Sequence, residues 1–396
     1  MSSCVATDLP HQASAGKAAT ALERFLQETD DRVAFQLWLE HLSNSQPRPV
    51  GNGVKRWLNQ QIAAIDERVC EQLNTLLHHP RFQRLESSWR GLWSLIECAS
   101  GHDNIKIRML DVSWKDVVRD MQRAPDFDQS GLFQLIYNAE FGTPGGEPFG
   151  VLLGDYYISH KRGEHHPGDD IFTLQGISRT AAAAFAPFVC SAAPALFGLD
   201  SYDTLGQPLD LESVFRQHEY LRWRSLREQE DSRFLALTLP QVLMREPYQD
   251  SFAAYGGLRF REDCGARHSR HYLWGNACFA LGSVLIREFA DVGWFAHVRG
   301  APRDALGGGL VTQFPALKYR PDSSACTRQM VTPVLITDTR ERELSELGFI
   351  SLSHCYQTPF AAFNSCPSLQ KPRDYDTKAA NARIKNPNRC FIYIFL

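Results

Sequence analysis

The side chains that most often bind zinc or iron are concentrated in one short stretch of this sequence. Its imidazoles and carboxylates belong to His160, His165, His166, Asp169 and Asp170. Glycine and proline interrupt the stretch, which reads HKRGEHHPGDD, and no HxxE or HExxH spacing places two ligands on one face of a helix. We therefore interpret it as a solvated surface loop and predict no metal ion there.

His354 and Cys355 are residue types that form a general base and a nucleophile in many enzymes. They are neighbours in the apolar run FISLSHC, which is typical of a strand. Neighbouring residues of a strand point to opposite faces of the sheet, so this pair cannot form the hydrogen bond that such catalysis needs. A soluble α/β enzyme that uses His165 and His166, or His354 and Cys355, is the alternative hypothesis, which loss of turnover on their replacement would favour.

Cys264, His268 and His271 form a further candidate zinc set. Their spacing is irregular and no fourth ligand accompanies them, whereas structural zinc binds four ligands. The ten cysteines of the chain are scattered without a CxxC pair, which is typical of reduced thiols that pack as small apolar side chains. No metal, cofactor or catalytic residue is predicted.

A glycine-rich link between a helix and a strand is the remaining candidate for ligand binding. Apolar residues follow helical spacing from residue 129 to 141, and residues 149–153 form a continuous apolar run typical of a strand buried on both faces. A phosphate-binding loop has the opposite order, from strand to helix, and no Gly-Lys-Ser/Thr occurs here. We interpret residues 142–148 as a turn within one unit of an α/β sheet.

The apolar pattern predicts that helices and strands alternate along most of the chain. This favours an α/β fold with mixed (α+β) character, in which N-terminal helices precede mixed β-sheets flanked by helices. Further helices are predicted over residues 57–76, 82–96, 169–186, 211–227, 272–290 and 339–348, and after Ser113, which is predicted to cap its helix. Further strands are predicted over residues 105–109, 187–190, 234–239, 294–298, 333–337 and 349–352.

Composition limits the classes of partner. The chain has 396 residues, of which 43% are hydrophobic and 11% aromatic, as in folded globular proteins. Its net charge of −3 gives no electrostatic argument for nucleic acid. No secretory signal and no run of membrane-spanning length is visible, so we predict a cytoplasmic protein that neither binds nucleic acid nor inserts into a membrane.

The densest charged segment, RSLREQEDSR from residue 224 to 233, allows two interpretations. It is either an exposed helix face with i,i+4 ion pairs or a complementary contact with another subunit, in which charges set the register. The segment RERELSE, residues 340–346, allows the same two. The candidate partner-binding residues in the first segment are Arg224, Arg227, Glu228, Glu230 and Asp231.

Several long segments of this sequence resemble sequences of one protein family. They are HHPRFQRLESSWRGL, FDQSGLFQLIYNAEFGTPGGEPFG, LLGDY, FGLDSY, WRSLREQEDSRFLALTLPQVLMR, YLWGNA, RERELSELGFISLSHC and QKPRDYDT. From Trp57 to Asn381 the chain is similar to the large subunit of the type VI secretion contractile sheath, the TssC or VipB family. The resemblance rests on these segments in this order, and not on composition.

The resemblance implies a structural protein and not an enzyme. Its members pair with a small sheath subunit of the TssB or VipA type and polymerise with themselves in a helical lattice around an Hcp-type inner tube. A baseplate is a further expected partner. Interfaces of this kind do not close into a ring and therefore give an open helix. Contraction that ejects the tube would use two packings of the same interfaces, with no cofactor.

The N-terminal region carries a candidate docking helix. Residues 18–26 have an apolar stripe of helical spacing that includes Leu22, Phe25 and Leu26. The stripe docks either on its own domain or, as the resemblance implies for an N-terminal helix of this subunit, on a ClpV-type AAA+ ATPase that recycles contracted sheath.

The pattern and the resemblance together divide the chain into four parts. Residues 1–50 are a mobile segment with short amphipathic helices, 51–100 a helical hairpin, 101–381 a sheath core of two subdomains, and 382–396 a divergent apolar tail. The uncharged, β-prone sequence FIYIFL at a free end is an aggregation hazard. Because the tail replaces the family's further helices and strands, we expect a truncated or frameshifted product that binds the small subunit poorly and forms no regular sheath.

Overall fold

The computed structural model describes residues 23–43, 53–163, 166, 168–249, 258–264, 271–295, 297–302, 307–319, 328–355, 358–372 and 390–395. The chain divides into two compact units, Met1–Glu71 and Gln72–Leu396. In the first unit residues 23–27 are helical. Helices α1 (Asp31–Ser43) and α2 (Gly53–Leu77) follow, and the last residues of α2 belong to the second unit.

Several helices of the second unit begin at side chains that accept a backbone N–H, as N-caps do. Ser113 Oγ accepts from Asp116 N at 3.2 Å, as predicted, and Asp169 accepts from Phe172 N at 3.1 Å. The helices after α2 are α3 (Pro80–Ala99), α4 (Trp114–Arg123), α5 (Gly131–Phe133, continued as a π-helix over Gln134–Phe141), α6 (Asp170–Ala184), α7 (Leu211–Arg216), α8 (Leu221–Glu228), α9 (Ala277–Val292) and α10 (Asp338–Glu346). Short 3₁₀ turns cover Phe127–Gln129, Pro194–Phe197, Tyr202–Gly206, His218–Tyr220 and Glu230–Phe234.

Eight strands of this unit form one mixed sheet, in the order β1-β12-β2-β3-β4-β10-β11-β7. They are β1 (Ile105–Leu110), β2 (Val151–Ile158), β3 (Phe188–Ala192), β4 (Leu235–Leu239), β7 (Leu310–Val311), β10 (Phe349–His354), β11 (Ala361–Phe363) and β12 (Cys390–Phe395). Neighbours from β1 to β10 are parallel, and β11 is antiparallel to both of its neighbours. Two separate antiparallel pairs are β5 (Val242–Leu243) with β6 (Trp274–Gly275), and β8 (Leu317–Tyr319) with β9 (Arg328–Met330). The predicted mixed α/β class is confirmed.

Strand β12 lies inside the sheet, hydrogen-bonded to β1 on one side and to β2 on the other. Its register places Ile394 beside Met109 of β1 and Leu153 of β2. Tyr393, Ile394 and Phe395 are buried. The expectation of a free apolar end is therefore wrong for these residues, because pairing on both sides leaves the strand no open edge of the kind that aggregates.

The sheet separates two apolar cores, because alternate residues of a strand point to opposite faces. On one face Leu152 and Phe188 pack with side chains of α4, α6, α7, α8 and α10. On the other face Leu153 and Val189 pack with side chains of α3 and α9. Both faces of the parallel strands are covered, as is usual for such strands.

The predicted helix over residues 211–227 is interrupted in the structure. Gln217 has an extended backbone (φ −58°, ψ 155°), which ends α7 and leaves carbonyl groups without helical partners. Arg224 replaces those partners, since its Nη1 donates to the carbonyls of Phe215 and Gln217 at 2.9 Å each. Periodicity alone cannot show such a break, because apolar residues before and after it still face the same core.

The predicted strands over residues 294–298 and 333–337 are wrong within the described residues, which are irregular there. Glu288 accepts the backbone N–H of His297 at 2.9 Å and thereby turns the chain back onto α9. Thr332 Oγ1 donates to the carbonyl of Val334 at 2.8 Å, while Val334 and Ile336 are buried. A side-chain bond to the backbone competes with a strand ladder, and the apolar pattern here reflects a buried loop.

Candidate interaction surfaces

Helix α3 is apolar on two faces, of which only one is buried. Ser87, Gly91, Leu92, Ser94 and Leu95 are buried where the helix packs on α9. The other face, called here the α3 apolar face, consists of Phe82 (41% exposed), Leu85 (55%), Trp89 (53%), Trp93 (67%) and Ile96 (45%). Their spacing of three and four residues places them on one side of the helix.

This α3 apolar face includes two large aromatic side chains that keep more than half of their surface in solvent. Single exposed apolar residues are normal, but contiguous apolar patches mark interaction sites. Exposed tryptophan on a rigid helix is also well suited to anchor a protein interface. The sequence predicts a helix over residues 82–96, but its apolar pattern does not distinguish the exposed Trp89 from Leu92, which the structure buries.

The arginines of the predicted charged contact segment bond to their own chain. Arg227 Nε donates to Leu369 O and its Nη2 to Glu346 O, both at 3.0 Å. Arg227 also accepts, through its carbonyl, the backbone N–H of Lys371 at 2.8 Å. Burial lowers the pKa of this guanidinium. Together with Arg224 at the break after α7, it ties α8 to neighbouring segments.

The carboxylates of the same segment lie nearer to solvent. Glu228 and Glu230 are exposed, and Asp231 is half-buried. Arg233 Nη1 lies 3.4 Å from Glu230 Oε1, an exposed pair of the kind that contributes about 0–1 kcal/mol. A role of Arg224, Arg227, Glu228, Glu230 and Asp231 in partner binding stays a prediction, and the carboxylates are the more accessible part.

The N-terminal stripe is only partly described. Phe25 and Leu26 lie in the helical residues 23–27 and are exposed, whereas Leu22 lies outside the described residues. Their docking on an ATPase stays a prediction.

The histidine- and aspartate-rich stretch stabilises the local fold. Asp170 is buried, and its carboxylate accepts from Trp114 Nε1 (2.8 Å) and Ser159 N (3.0 Å). His166 Nδ1 lies 2.9 Å from the same carboxylate. The interpretation as a solvated loop is therefore wrong for Asp170, because helix α6 starts at this residue and places its side chain in the interior. His165 lies outside the described residues.

The other members of this stretch also have partners within the chain. Asp169 caps α6, and Arg222 Nη1 lies 2.6 Å from its Oδ2. His160 has a buried side chain that stacks on Tyr220, with ring centroids 4.1 Å apart. Burial lowers the pKa of His160. These contacts account for both residues as parts of the fold.

His354 and Cys355 have the ionisation properties of inert residues. Burial lowers the pKa of His354 and raises the pKa of the Cys355 thiol. An active cysteine needs the opposite, a thiol pKa lowered by a nearby positive charge. The backbone N–H of Cys355 donates to Phe360 O at 3.0 Å in the turn that leads to β11. The arrangement gives no support to the alternative enzyme hypothesis.

A buried polar network that the sequence did not reveal joins α3, β2 and α9. Ser88 Oγ donates to Asp155 Oδ2, while Asn276 Nδ2 donates to Tyr156 O at 3.2 Å. Ser191 Oγ donates to Asn276 Oδ1 at 2.5 Å. Burial raises the pKa of Asp155. The network fixes the start of α9 over the sheet.

A second feature that the sequence did not reveal is a cluster of potential metal ligands from two segments that are far apart in the sequence. His78, Glu262 and Cys264 bring one imidazole nitrogen, one carboxylate oxygen and one thiol sulfur within 4.8 Å of one another. The sequence suggested Cys264 with His268 and His271. Of these, His271 stacks on His78, with ring centroids 4.5 Å apart, and His268 lies outside the described residues.

Comparison with known proteins gives two matches. Residues 59–370 match the VipB family model, described as the EvpB/VC_A0108 tail sheath N-terminal domain. The chain is 34% identical over 372 residues to the type VI secretion system sheath protein TssC1 of Pseudomonas aeruginosa, an alignment that covers 92% of this chain and 72% of that protein. Among the described helices, none has the length and apolar character needed to cross a membrane.

Proposed function

The chain belongs to the VipB family of type VI secretion sheath large subunits, and we propose that it pairs with a small sheath subunit of the TssB or VipA type. The pairs polymerise with one another as a helical tube in the cytoplasm. The tube surrounds an inner tube of the Hcp type, grows from a baseplate and ejects the inner tube when it contracts. The pairing, the lattice and the ejection are the proposal, and family membership supports them.

The observation that carries this proposal is the α3 apolar face. It lies on a helix whose opposite side packs on α9 over the central sheet, so its position is fixed by the core. Trp89 and Trp93 are exposed on a rigid helix and can anchor an interface. Because the helix is already ordered, binding through them costs little conformational entropy. We assign this face to the contact with the small subunit.

The rest of the structure is consistent with a mechanical role. A mixed sheet covered on both faces is a stiff body, and stiff bodies transmit force through the interfaces between them. Contraction then consists of two packings of the same subunit surfaces, which differ in free energy. The ClpV-type ATPase would act afterwards on residues 18–26, of which Phe25 and Leu26 are exposed.

Co-expression with a small sheath subunit tests the proposal directly. We expect the two chains to co-purify at equal stoichiometry and to form hollow tubes of regular helical symmetry in electron micrographs. The sequence-based expectation that the divergent tail prevents assembly predicts the opposite for the same sample. A pair that never co-purifies, although the large chain is folded by circular dichroism, would overturn the proposal.

A further inference from the structure

The junction between α2 and α3 lies next to a loop that carries two potential metal ligands. His78 is the first residue after α2, and Glu262 and Cys264 lie in the described segment 258–264. The backbone N–H of Asp263 donates to Asn74 Oδ1 at 3.0 Å and so fixes the loop to the end of α2. The proximity of the three ligands therefore follows from a defined contact between these segments.

We propose that His78, Glu262 and Cys264 bind one divalent transition-metal ion, with zinc as the best fit, through an imidazole nitrogen, a carboxylate oxygen and a thiolate sulfur. Imidazole and thiolate are preferred ligands of zinc, and carboxylate is a common third ligand. Three protein ligands leave a fourth position for water. The site is separate from the α3 apolar face and needs no assembly.

The distance between the His78 and Glu262 ligand atoms suits a tetrahedral ion, and the sulfur of Cys264 lies within 4.8 Å of both. Zinc lies about 2.0–2.3 Å from nitrogen, oxygen and sulfur ligands, so two ligand atoms of one tetrahedral site are roughly 3.3–3.8 Å apart. His78 Nε2 and Glu262 Oε1 are 3.4 Å apart. His78 Nε2 is buried and makes no hydrogen bond in the described structure. An ion placed between these atoms would give that nitrogen a partner.

Groups around the ligands hold them as the outer shell of a metal site does. Arg245 Nη1 donates to Glu262 Oε2 at 2.5 Å and Nη2 to Oε1 at 3.1 Å, while the backbone N–H of Tyr248 donates to Oε2 at 3.0 Å. The ring of His78 stacks on His271. Glu262 is thus held in place with its Oε1 3.4 Å from His78 Nε2.

Charged side chains surround the three ligands, and metal binding also requires Cys264 to lose its thiol proton. Arg245 also pairs with Glu86 at 2.8 Å, and Glu86 pairs with Arg90 at 2.8 Å, so two guanidiniums face two carboxylates. The form of Cys264 that binds a metal ion is the thiolate. On binding, the S–H bond breaks, the sulfur donates its electron pair to the ion, and the proton goes to solvent.

The competing arrangement is a protonated His78 that forms a simple ion pair with Glu262. Cobalt distinguishes the two, because a cobalt–thiolate bond gives a charge-transfer absorption band that a carboxylate or imidazole does not give. The purified chain is treated with a chelator, dialysed and titrated with Co²⁺. We expect a near-ultraviolet thiolate band that saturates at one ion per chain, and we expect Zn²⁺ to displace it.

Three variants locate the site. Cys264→Ser should abolish the band, and His78→Gln should weaken Co²⁺ binding by about 10-fold or more. Cys366→Ser is the matched control, since this half-buried thiol bonds to Val298 O instead and its loss should leave the band unchanged. No band in the wild-type chain, or a full band in Cys264→Ser, overturns the proposal. If Cys264→Ser does not fold, the test rests on His78→Gln. An unchanged affinity of the folded His78→Gln variant for Co²⁺ would exclude the site.

Discussion

Gly91 of helix α3 lies directly against the phenyl ring of Phe279 on helix α9, where an added Cβ would come within 2.4 Å of the ring carbon Cδ2. Gly282 of α9 plays the same part towards Leu95, because a Cβ there would lie 3.0 Å from Cδ2 of that side chain. These glycines allow the two helices to approach closely over the sheet. The position of α3, and of the apolar face that it presents, depends on this contact.

The change Gly91→Ala tests the close approach. It should lower the free energy of unfolding by about 1–3 kcal/mol, because the methyl group must push either the ring or the helix aside. Urea unfolding followed by circular dichroism measures it. Gly163→Ala is the control, since a Cβ at Gly163 meets nothing within 4 Å, and its effect should stay within about 0.5 kcal/mol. Equal effects of the two changes would contradict the packing.

Arg227→Ala should destabilise the isolated chain by about 2–3 kcal/mol. The change removes donors from Leu369 O and Glu346 O and leaves these carbonyls without the guanidinium that now bonds to them. Arg233→Ala, at an exposed pair in the same segment, should change stability by less than about 0.5 kcal/mol. If Arg227→Ala leaves the melting temperature unchanged but prevents tube formation, Arg227 serves the interface as the sequence suggested.

The double change of Trp89 and Trp93 to alanine should leave the folded chain intact and reduce its binding to the small subunit by at least about 10-fold. The physical reason is that both side chains are mostly exposed in the chain alone and would be buried only in the complex. Unfolding curves and a binding isotherm measure the two quantities separately.

Leu95→Ala on the other side of the same helix is the contrasting variant. Leu95 is fully buried, so its truncation should cost about 2–5 kcal/mol of stability and act on assembly only through the fraction folded. Glu97→Ala changes an exposed residue of α3 and should alter neither the stability of the chain nor its binding to the small subunit. Normal binding by the double tryptophan variant would remove the α3 apolar face from the proposed interface.

The stability of the chain should depend on the ionisation of Asp155. Burial raises the pKa of this carboxyl, so the folded state takes up a proton at a higher pH than the unfolded state does. Stability therefore rises as the pH falls through the folded-state pKa, and this gain is complete at the ordinary carboxyl pKa of the unfolded chain. Above the folded-state pKa, the cost of the buried charge is present in full.

Asp155→Asn removes this charge. We expect the variant to be more stable than the wild type at neutral pH and the difference to shrink as the pH falls towards 4, a range reached with urea titrations at a series of pH values. Asp103→Asn, in an exposed turn, is the control. A constant loss of stability at every pH would mean that the bond from Ser88 outweighs the cost of burying the charge.

Local patterns predicted the elements on which the fold is built. The apolar run at residues 149–153 indicated a strand buried on both faces, and β2 contains residues 151–153 of that run in the interior of the sheet. Ser113 was expected to cap a helix and does. Such signals succeed because they depend on neighbours in sequence, which fix backbone geometry and burial within one element.

Relationships between distant segments could not be predicted in the same way. The apolar residues 391–395 indicate burial, but nothing in them specifies pairing with both β1 and β2. Likewise, His78 and Cys264 lie close together where Asp263 N donates to Asn74 Oδ1, a contact between residues 189 positions apart in the sequence. On α3 the period marks apolar residues but cannot tell which of two apolar faces meets α9, and so it does not show that Trp89 is exposed.

The place of β12 has a consequence for the order in which the molecule is made. Strands β1 and β2 leave the ribosome early, yet the segment that separates them is translated only at residues 390–395. At a translation rate of 5–20 residues per second, roughly 10 to 50 s pass between the synthesis of β2 and that of β12. During that interval the nascent sheet has a gap between β1 and β2, with an unsatisfied strand edge on each side. Nascent chains should therefore need chaperone protection until β12 has been translated.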